Sequence, residues 1–173
     1  FINCDAYLCQ DTLSNDGALG GFGDGFKGST HLGGYLSYEG CRAWDCSDDG
    51  FDPNWQGFIN IENCWSFRNG RWDGDGYGFK LATWEARNVE LTEVPFLLRN
   101  FTNNIAAFNQ QGPGLGITYG PERPMCNGNW SNNTFFKNMY GIVVSHSYLS
   151  TSTVYNMIFR NNVLYKNVTD FVC

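Results

Sequence analysis

The chain has 173 residues with a formal charge of −6, and it is 16% charged and 17% aromatic, with 21 glycines against 5 prolines. This is enough for one domain with a sizeable core, residues 1–173, and it is too aromatic for a disordered chain. Lysines and arginines are dispersed in an acidic background, which leaves no basic stripe for nucleic acid, and no apolar run approaches the roughly 18 residues of a membrane span.

In chain order, the opening FINCDAYLC is neither a signal peptide nor an initiator Met, so the chain reads as processed or truncated. Downstream, apolar residues come in short runs such as FINI, FLL, GIVV and NMIF, separated by Gly, Asn and Asp clusters. That rhythm predicts strands and turns without amphipathic helices. One element recurs six times: NCDAYLC from Asn3, GCRAWDC from Gly40, NCWSFRN from Asn63, NIAAFNQ from Asn104, NNTFFKN from Asn132 and NNVLYKN from Asn161. Its fifth position is aromatic throughout: Tyr7, Trp44, Phe67, Phe108, Phe136 and Tyr165.

A fixed short element with variable insertions predicts a β-solenoid, an all-β parallel β-helix of about six to seven coils. Equivalent residues then form columns about 4.8 Å apart along the stack. The aromatic column is expected to fill the interior, and the Asn column to satisfy backbone groups at a turn.

The seven cysteines suit an oxidising, extracellular setting, the odd number leaving one free, paired between chains or joined to a further segment. Cys4, Cys41 and Cys64 share one repeat position, and Cys9 and Cys46 another. The equal 37-residue offset predicts an inter-coil Cys9–Cys46 disulfide, with Cys4–Cys9 and Cys41–Cys46 as the competing pairings. N-x-S/T sequons at Asn100, Asn129, Asn132 and Asn167 are candidate N-glycan sites.

Three carboxylates crowd SDDGFDPN: Asp48, Asp49 and Asp52. Asp24, in GDGF, lies 24 residues before Asp48, and Lys80, in GYGFKL, lies 28 after Asp52, each about one coil away. Hard oxygen donors from adjacent coils suit Ca²⁺, and without interleaved His or Cys they do not suit zinc. Asp73 and Asp75 could extend the acidic site but read first as turn residues, His31 and His146 read as ordinary polar residues, and Lys27 as a candidate contact to a polyuronate.

GDGF, DDGFD, the G-x-GFKL element and the N-x-x-A-F-x-(N/Q) repeats together resemble family 9 polysaccharide lyases, calcium-dependent pectate lyases built on a right-handed parallel β-helix. The resemblance runs from about residue 1 to 167. It implies that Asp24, Asp48, Asp49 and Asp52 bind a catalytic Ca²⁺, that Lys80 is the general base, and that a secreted enzyme cleaves an acidic polysaccharide by β-elimination. The family usually continues GFKLGG, whereas this chain reads GFKLATWEARNVELTEVP. The alternative is a non-catalytic secreted β-helix glycoprotein that binds glycan or stacks end to end into fibres. A hydrolase on the same scaffold would need two carboxylates straddling the scissile bond.

Overall fold

The computed structural model describes residues 1–13, 19–30, 34–55, 57–72, 74–83, 98–109, 111–119, 127–146 and 157–173. Among these residues, seventeen short strands, each limited to a few residues by Gly, Asn and Asp, stack into three parallel sheets. The first sheet holds β1 (Asp5–Tyr7), β4 (Arg42–Trp44), β7 (Trp65–Phe67), β10 (Ile105–Ala107), β13 (Thr134–Phe136) and β16 (Val163–Tyr165). The second holds β2 (Phe26–Thr30), β5 (Phe51–Trp55), β8 (Phe79–Thr83), β11 (Pro113–Tyr119), β14 (Tyr140–His146) and β17 (Thr169–Val172). The third holds β3 (Tyr35–Glu39), β6 (Phe58–Glu62), β9 (Leu98–Thr102), β12 (Asn127–Ser131) and β15 (Met157–Arg160). The architecture is a right-handed parallel β-helix in which each successive coil contributes one strand to each sheet, the last described coil adding only β16 and β17. Among the described residues no helix is long and apolar enough to cross a membrane.

Large side chains from the second and third sheets meet small ones from the first in the early coils, and Phe135 and Leu164 take the same inward position further on. Phe26, Phe51 and Phe79 stack at 4.8 Å per step, the spacing of the strands that carry them. Tyr38, Ile61, Phe101 and Trp130 face them from the third sheet, while Ala43, Ser66 and Ala106 leave the room those rings need.

The predicted aromatic column is real but lies on the opposite side of its strands. The middle residue of each first-sheet strand points inward, so position five points outward: Tyr7 stacks on Trp44 at 5.0 Å, Trp44 on Phe67 at 5.6 Å, and Phe136 on Tyr165 at 5.8 Å. The register also corrects the fourth copy by one residue. Ala107, not Phe108, pairs with Phe67 and Phe136, so the copy begins at Asn103. Phe108 sits in the following turn at φ 61°.

With that correction the turns become regular. Position one adopts left-handed backbone in Asn3, Gly40, Asn63, Asn103, Asn132 and Asn161, a conformation that Gly and Asn tolerate best. The next residue forms a buried ladder. Asn104 receives the Cys64 N–H at 2.8 Å and donates Nδ2 to Ile61 O at 2.9 Å, and Asn133 and Asn162 repeat the pattern downstream. Asn69, Asn109, Asn138 and Asn167 form a second ladder at position seven.

The cysteines continue these two columns in the early coils. Cys4, Cys41 and Cys64 precede Asn104 in one, and Cys9 and Cys46 precede Asn69 in the other. The expected columns are present, but the Cys9–Cys46 disulfide is not: all six described cysteines are free thiols. Their sulfurs lie against backbone carbonyls, the single Cys64 S–H having Tyr38 O and Glu62 O as alternative acceptors, and Cys46 Sγ donating to Trp44 O. Burial pushes the Cys46 and Cys64 thiols up to about 12. Cys126 lies outside the described residues.

An outward ladder on the third sheet engages two sequons: Asn100 Nδ2 donates to Asn60 Oδ1 at 2.7 Å, and Asn129 Nδ2 to Asn100 Oδ1 at 3.1 Å. Asn167 Nδ2 donates to Phe135 O. Asn132 is exposed.

Candidate metal and catalytic site

The site lies on the second sheet at the corner it shares with the first. Lys27 pairs with Asp52 across adjacent strands, and the Phe51–Phe79 pair places Lys80 one coil beyond Asp52 in the same outward column. Parallel stacking therefore sets cation, carboxylate and cation in successive coils. Asp24 and Asp49 enter from the loops leading into β2 and β5, tied together by the Asp49 N–H donating to Asp24 Oδ1 at 3.3 Å. The true coil step is thus Asp24 to Asp49, not Asp24 to Asp48.

Asp24, Asp49 and Asp52 each offer a carboxylate oxygen, all within 4.8 Å of one another. Lys27 Nζ reaches Asp24 Oδ2 at 2.8 Å and Asp52 Oδ2 at 3.0 Å from one side, and Lys80 Nζ reaches Asp49 Oδ2 at 3.0 Å from the other. Asp52 Oδ1 is buried without a hydrogen-bond partner. Converging carboxylates with an unsatisfied buried oxygen fit a hard divalent cation, and the all-oxygen set suits calcium. Asp48 is buried just beside the three, its Oδ1 accepting the Asp75 N–H at 2.7 Å. Gly74 permits that approach, because a Cβ there would meet Ser47 O at 2.5 Å and Asp48 Oδ1 at 2.7 Å.

The charges are strongly coupled. Burial, reinforced by Asp24, raises the Asp48 carboxyl to about 6. Burial lifts Asp49 well above the ordinary carboxylate range, with Asp48, Asp24 and Asp52 adding to the rise and Lys80 opposing it. Asp24 is raised by burial against the pull of Lys27. For Lys80, burial disfavours the ammonium, but Asp49, the hydrogen bond to Asp75 and the charge of Asp52 outweigh it and hold the group protonated.

Two further participants stand at the edge of the cluster. Asp75, which the sequence assigns first to a turn and only second to an extension of the acidic site, brings Oδ2 to 2.8 Å from Lys80 Nζ. Tyr77 donates its N–H to Asp49 Oδ1 at 2.8 Å and holds its ring 5.2 Å from Lys80 Nζ. Gly116, one coil on from Lys80, makes room for that ring, since a Cβ there would lie 2.0 Å from it. The spacing D-G-Y-G-F-K carried this signal only once the coil register was known. Asp73 and His31 lie outside the described residues, as does the side chain of His146.

A right-handed parallel β-helix with this cluster on one outer face defines the class. The chain belongs to the Pel9A-like right-handed beta helix family, whose model matches residues 1–162. It is 34% identical over 174 residues to pectate lyase L of Dickeya dadantii (strain 3937) and, equally, to that of Dickeya chrysanthemi. Each match covers 94% of this chain and 35% of the relative, so the chain spans about a third of the length of these relatives. A solved rhamnogalacturonan lyase superposes with a TM-score of 0.51 at 24% identity, covering 95% of this chain and 48% of the other, a likeness of fold alone.

Proposed function

We propose that the protein is a family 9 polysaccharide lyase that cleaves pectate-type uronic acid polymers by calcium-dependent β-elimination. The observation that carries this reading is the convergence of Asp24, Asp49 and Asp52 within 4.8 Å, with Lys80 Nζ 3.0 Å from Asp49. Asp24, Asp49 and Asp52 would hold the cation, with Asp48 completing the acidic wall. Bound calcium supplies a Lewis acid that polarises the uronate carboxylate and acidifies the neighbouring C5 proton.

Lys80 Nζ is the group placed to take that proton. It can do so only as the neutral amine, whereas Asp49 and Asp75 favour its charged form. Neutralising Asp49 removes the strongest of the interactions holding the proton on Lys80, so metal ligation and readiness of the base are coupled in this arrangement. The electron pair left by the C5 proton forms the C4–C5 double bond as the C4–O bond breaks, the departing oxygen takes a proton from solvent, and no water attacks carbon.

Incubation of the protein with polygalacturonate should give ultraviolet absorbance from the unsaturated product in the presence of calcium, and none after chelation. An extracellular location belongs to this reading, with Asn132 as the sequon whose side chain is open to a glycan.

A second reading is favoured by Lys27, which already bridges Asp24 and Asp52. On it, the cluster is a self-neutralised structural feature of a non-catalytic secreted β-helix that binds glycan or assembles into fibres. That reading predicts no product with or without calcium.

A further inference from the structure

The outward aromatic row on the first sheet is broken in one coil. Ala107 occupies the place that Phe67 and Phe136 take in the neighbouring coils, and the ring of Phe108 is displaced by one residue into the turn. The gap is a slot of about 470 Å³ with Trp65, Phe67, Ile105 and Phe108 around it, Ala107 in the gap and Arg68 at its rim. Trp65 is 49% exposed and Phe108 39%. A polar depression of about 610 Å³ adjoins it, sharing Arg68 and Phe108 and adding Asp45, Arg71 and Gln111. Gly70, also in that depression, donates its N–H to Asp48 O at 2.9 Å, so the depression reaches the loop that carries the acidic cluster.

The surroundings are cationic although the chain is acidic. Arg68 holds Asp45 through two hydrogen bonds of 3.0 and 2.9 Å and lies over the Phe67 ring. Arg71 is exposed and reaches Asp45 only at 3.7 Å, which leaves much of its guanidinium available. Lys137 Nζ stands 5.5 Å from the Phe108 ring centre and 5.3 Å from that of Phe136. Flat aromatic faces accept the C–H face of a sugar ring, and a guanidinium fork accepts a carboxylate. Both volumes fall within the range of small-ligand sites.

We propose that this slot and depression form a second saccharide site for an acidic polysaccharide, outside the catalytic column. One uronic acid ring stacks in the slot against Trp65 and Phe67, and the carboxylate of the adjoining unit pairs with Arg71. The identity of the ligand rests on the uronate-directed reading of the chain; the existence of the site rests on the broken aromatic row and its cationic rim.

Ala107→Phe restores the ring present in the neighbouring coils and fills the slot without touching Lys80 or the carboxylates. In calcium-free buffer, calorimetric titration with tetragalacturonate should show about tenfold weaker binding to Ala107→Phe. Arg71→Gln should weaken binding similarly and flatten its salt dependence, and cellotetraose, which is neutral, should bind far more weakly than the acidic oligomer. Arg71→Gln decides the matter if Ala107→Phe does not fold. A parent protein that makes no unsaturated product but binds the acidic oligomer, and loses that binding in both variants, supports the site and removes the lyase reading. A parent that forms product while both variants bind as tightly as it does overturns the site and leaves the lyase reading standing. Absence of binding to the parent also overturns it, as does self-association abolished by Ala107→Phe without any oligomer binding, which would assign the slot to a second copy of the chain.

Discussion

Asp49 is the most constrained residue of the site: it is fully buried, accepts the Tyr77 N–H, and faces Lys80 with its other oxygen. Its neighbour Asp48, raised to about 6, makes the cost of this crowding measurable. A carboxyl whose folded pKa exceeds the unfolded value of about 4 adds stability that is present at low pH and lost as pH rises from about 4 to about 6. Asp24 and Asp49 are shifted in the same direction. The metal-free protein is therefore expected to melt at a lower temperature at pH 7 than at pH 5, as differential scanning calorimetry would show. Calcium at a hundredfold excess over its Kd should add about 2.7 kcal/mol at neutral pH, and Asp49→Ala should remove most of that gain. An unchanged melting temperature across millimolar calcium would leave the cluster as a set of internal ion pairs.

The strand and its turn are the unit that repeats, and the asparagine ladders hold the turns in register. Asn138 accepts the Asn109 N–H and donates to Ala106 O, both in the interior, and to Asn167 Oδ1 at its half-buried edge. Asn138→Ala leaves those buried groups unpaired and should cost about 2–4 kcal/mol in chemical denaturation. The cysteine positions test the same logic in reverse. Cys64 Sγ donates to Tyr38 O, the carbonyl one coil back from the Ile61 O that Asn104 serves. Cys64→Asn should extend the ladder and change stability by less than about 1.5 kcal/mol, whereas Cys64→Leu, branched at Cγ like asparagine but without donor or acceptor, should lose more. Equal losses in the two variants would show that the column is shaped by volume alone.

At the scale of the whole molecule, the fold was legible because a solenoid writes its period into the chain: five of the six repeat copies were placed in their true register by the sequence. The fourth slipped because Phe108 supplied an aromatic side chain one position late, and only strand pairing distinguishes Ala107 from Phe108 as the equivalent of Phe67. The direction of the aromatic row was misjudged for a related reason. A three-residue strand points its central residue inward, and the small Ala43, Ser66 and Ala106 at that position gave no apolar signal. Of the candidate site, Asp24, Asp48, Asp49, Asp52 and Lys80 were legible as residues of neighbouring coils; the structure gathers Asp24, Asp49, Asp52 and Lys80 and sets Asp48 beside them. Tyr77 was not legible, and Asp75 only as the lesser of two readings, because their parts depend on how one turn folds back over Asp48 and Asp49.

The central claim is that Lys80 is the base of a calcium-dependent elimination, and a single comparison tests it most directly. Parent and Lys80→Ala would be incubated with polygalacturonate at saturating calcium, with unsaturated product followed by ultraviolet absorbance and folding checked by circular dichroism. The expected result is that the parent forms product at a rate that rises with pH as the lysine loses its proton, while Lys80→Ala remains folded and calcium-stabilised but forms none. Lys80→Arg should be equally inactive, since a guanidinium does not give up its proton at any working pH. Product formation by a folded Lys80→Ala at the parent's rate would contradict the assignment of the base, and absence of product from the parent would contradict the lyase reading as a whole.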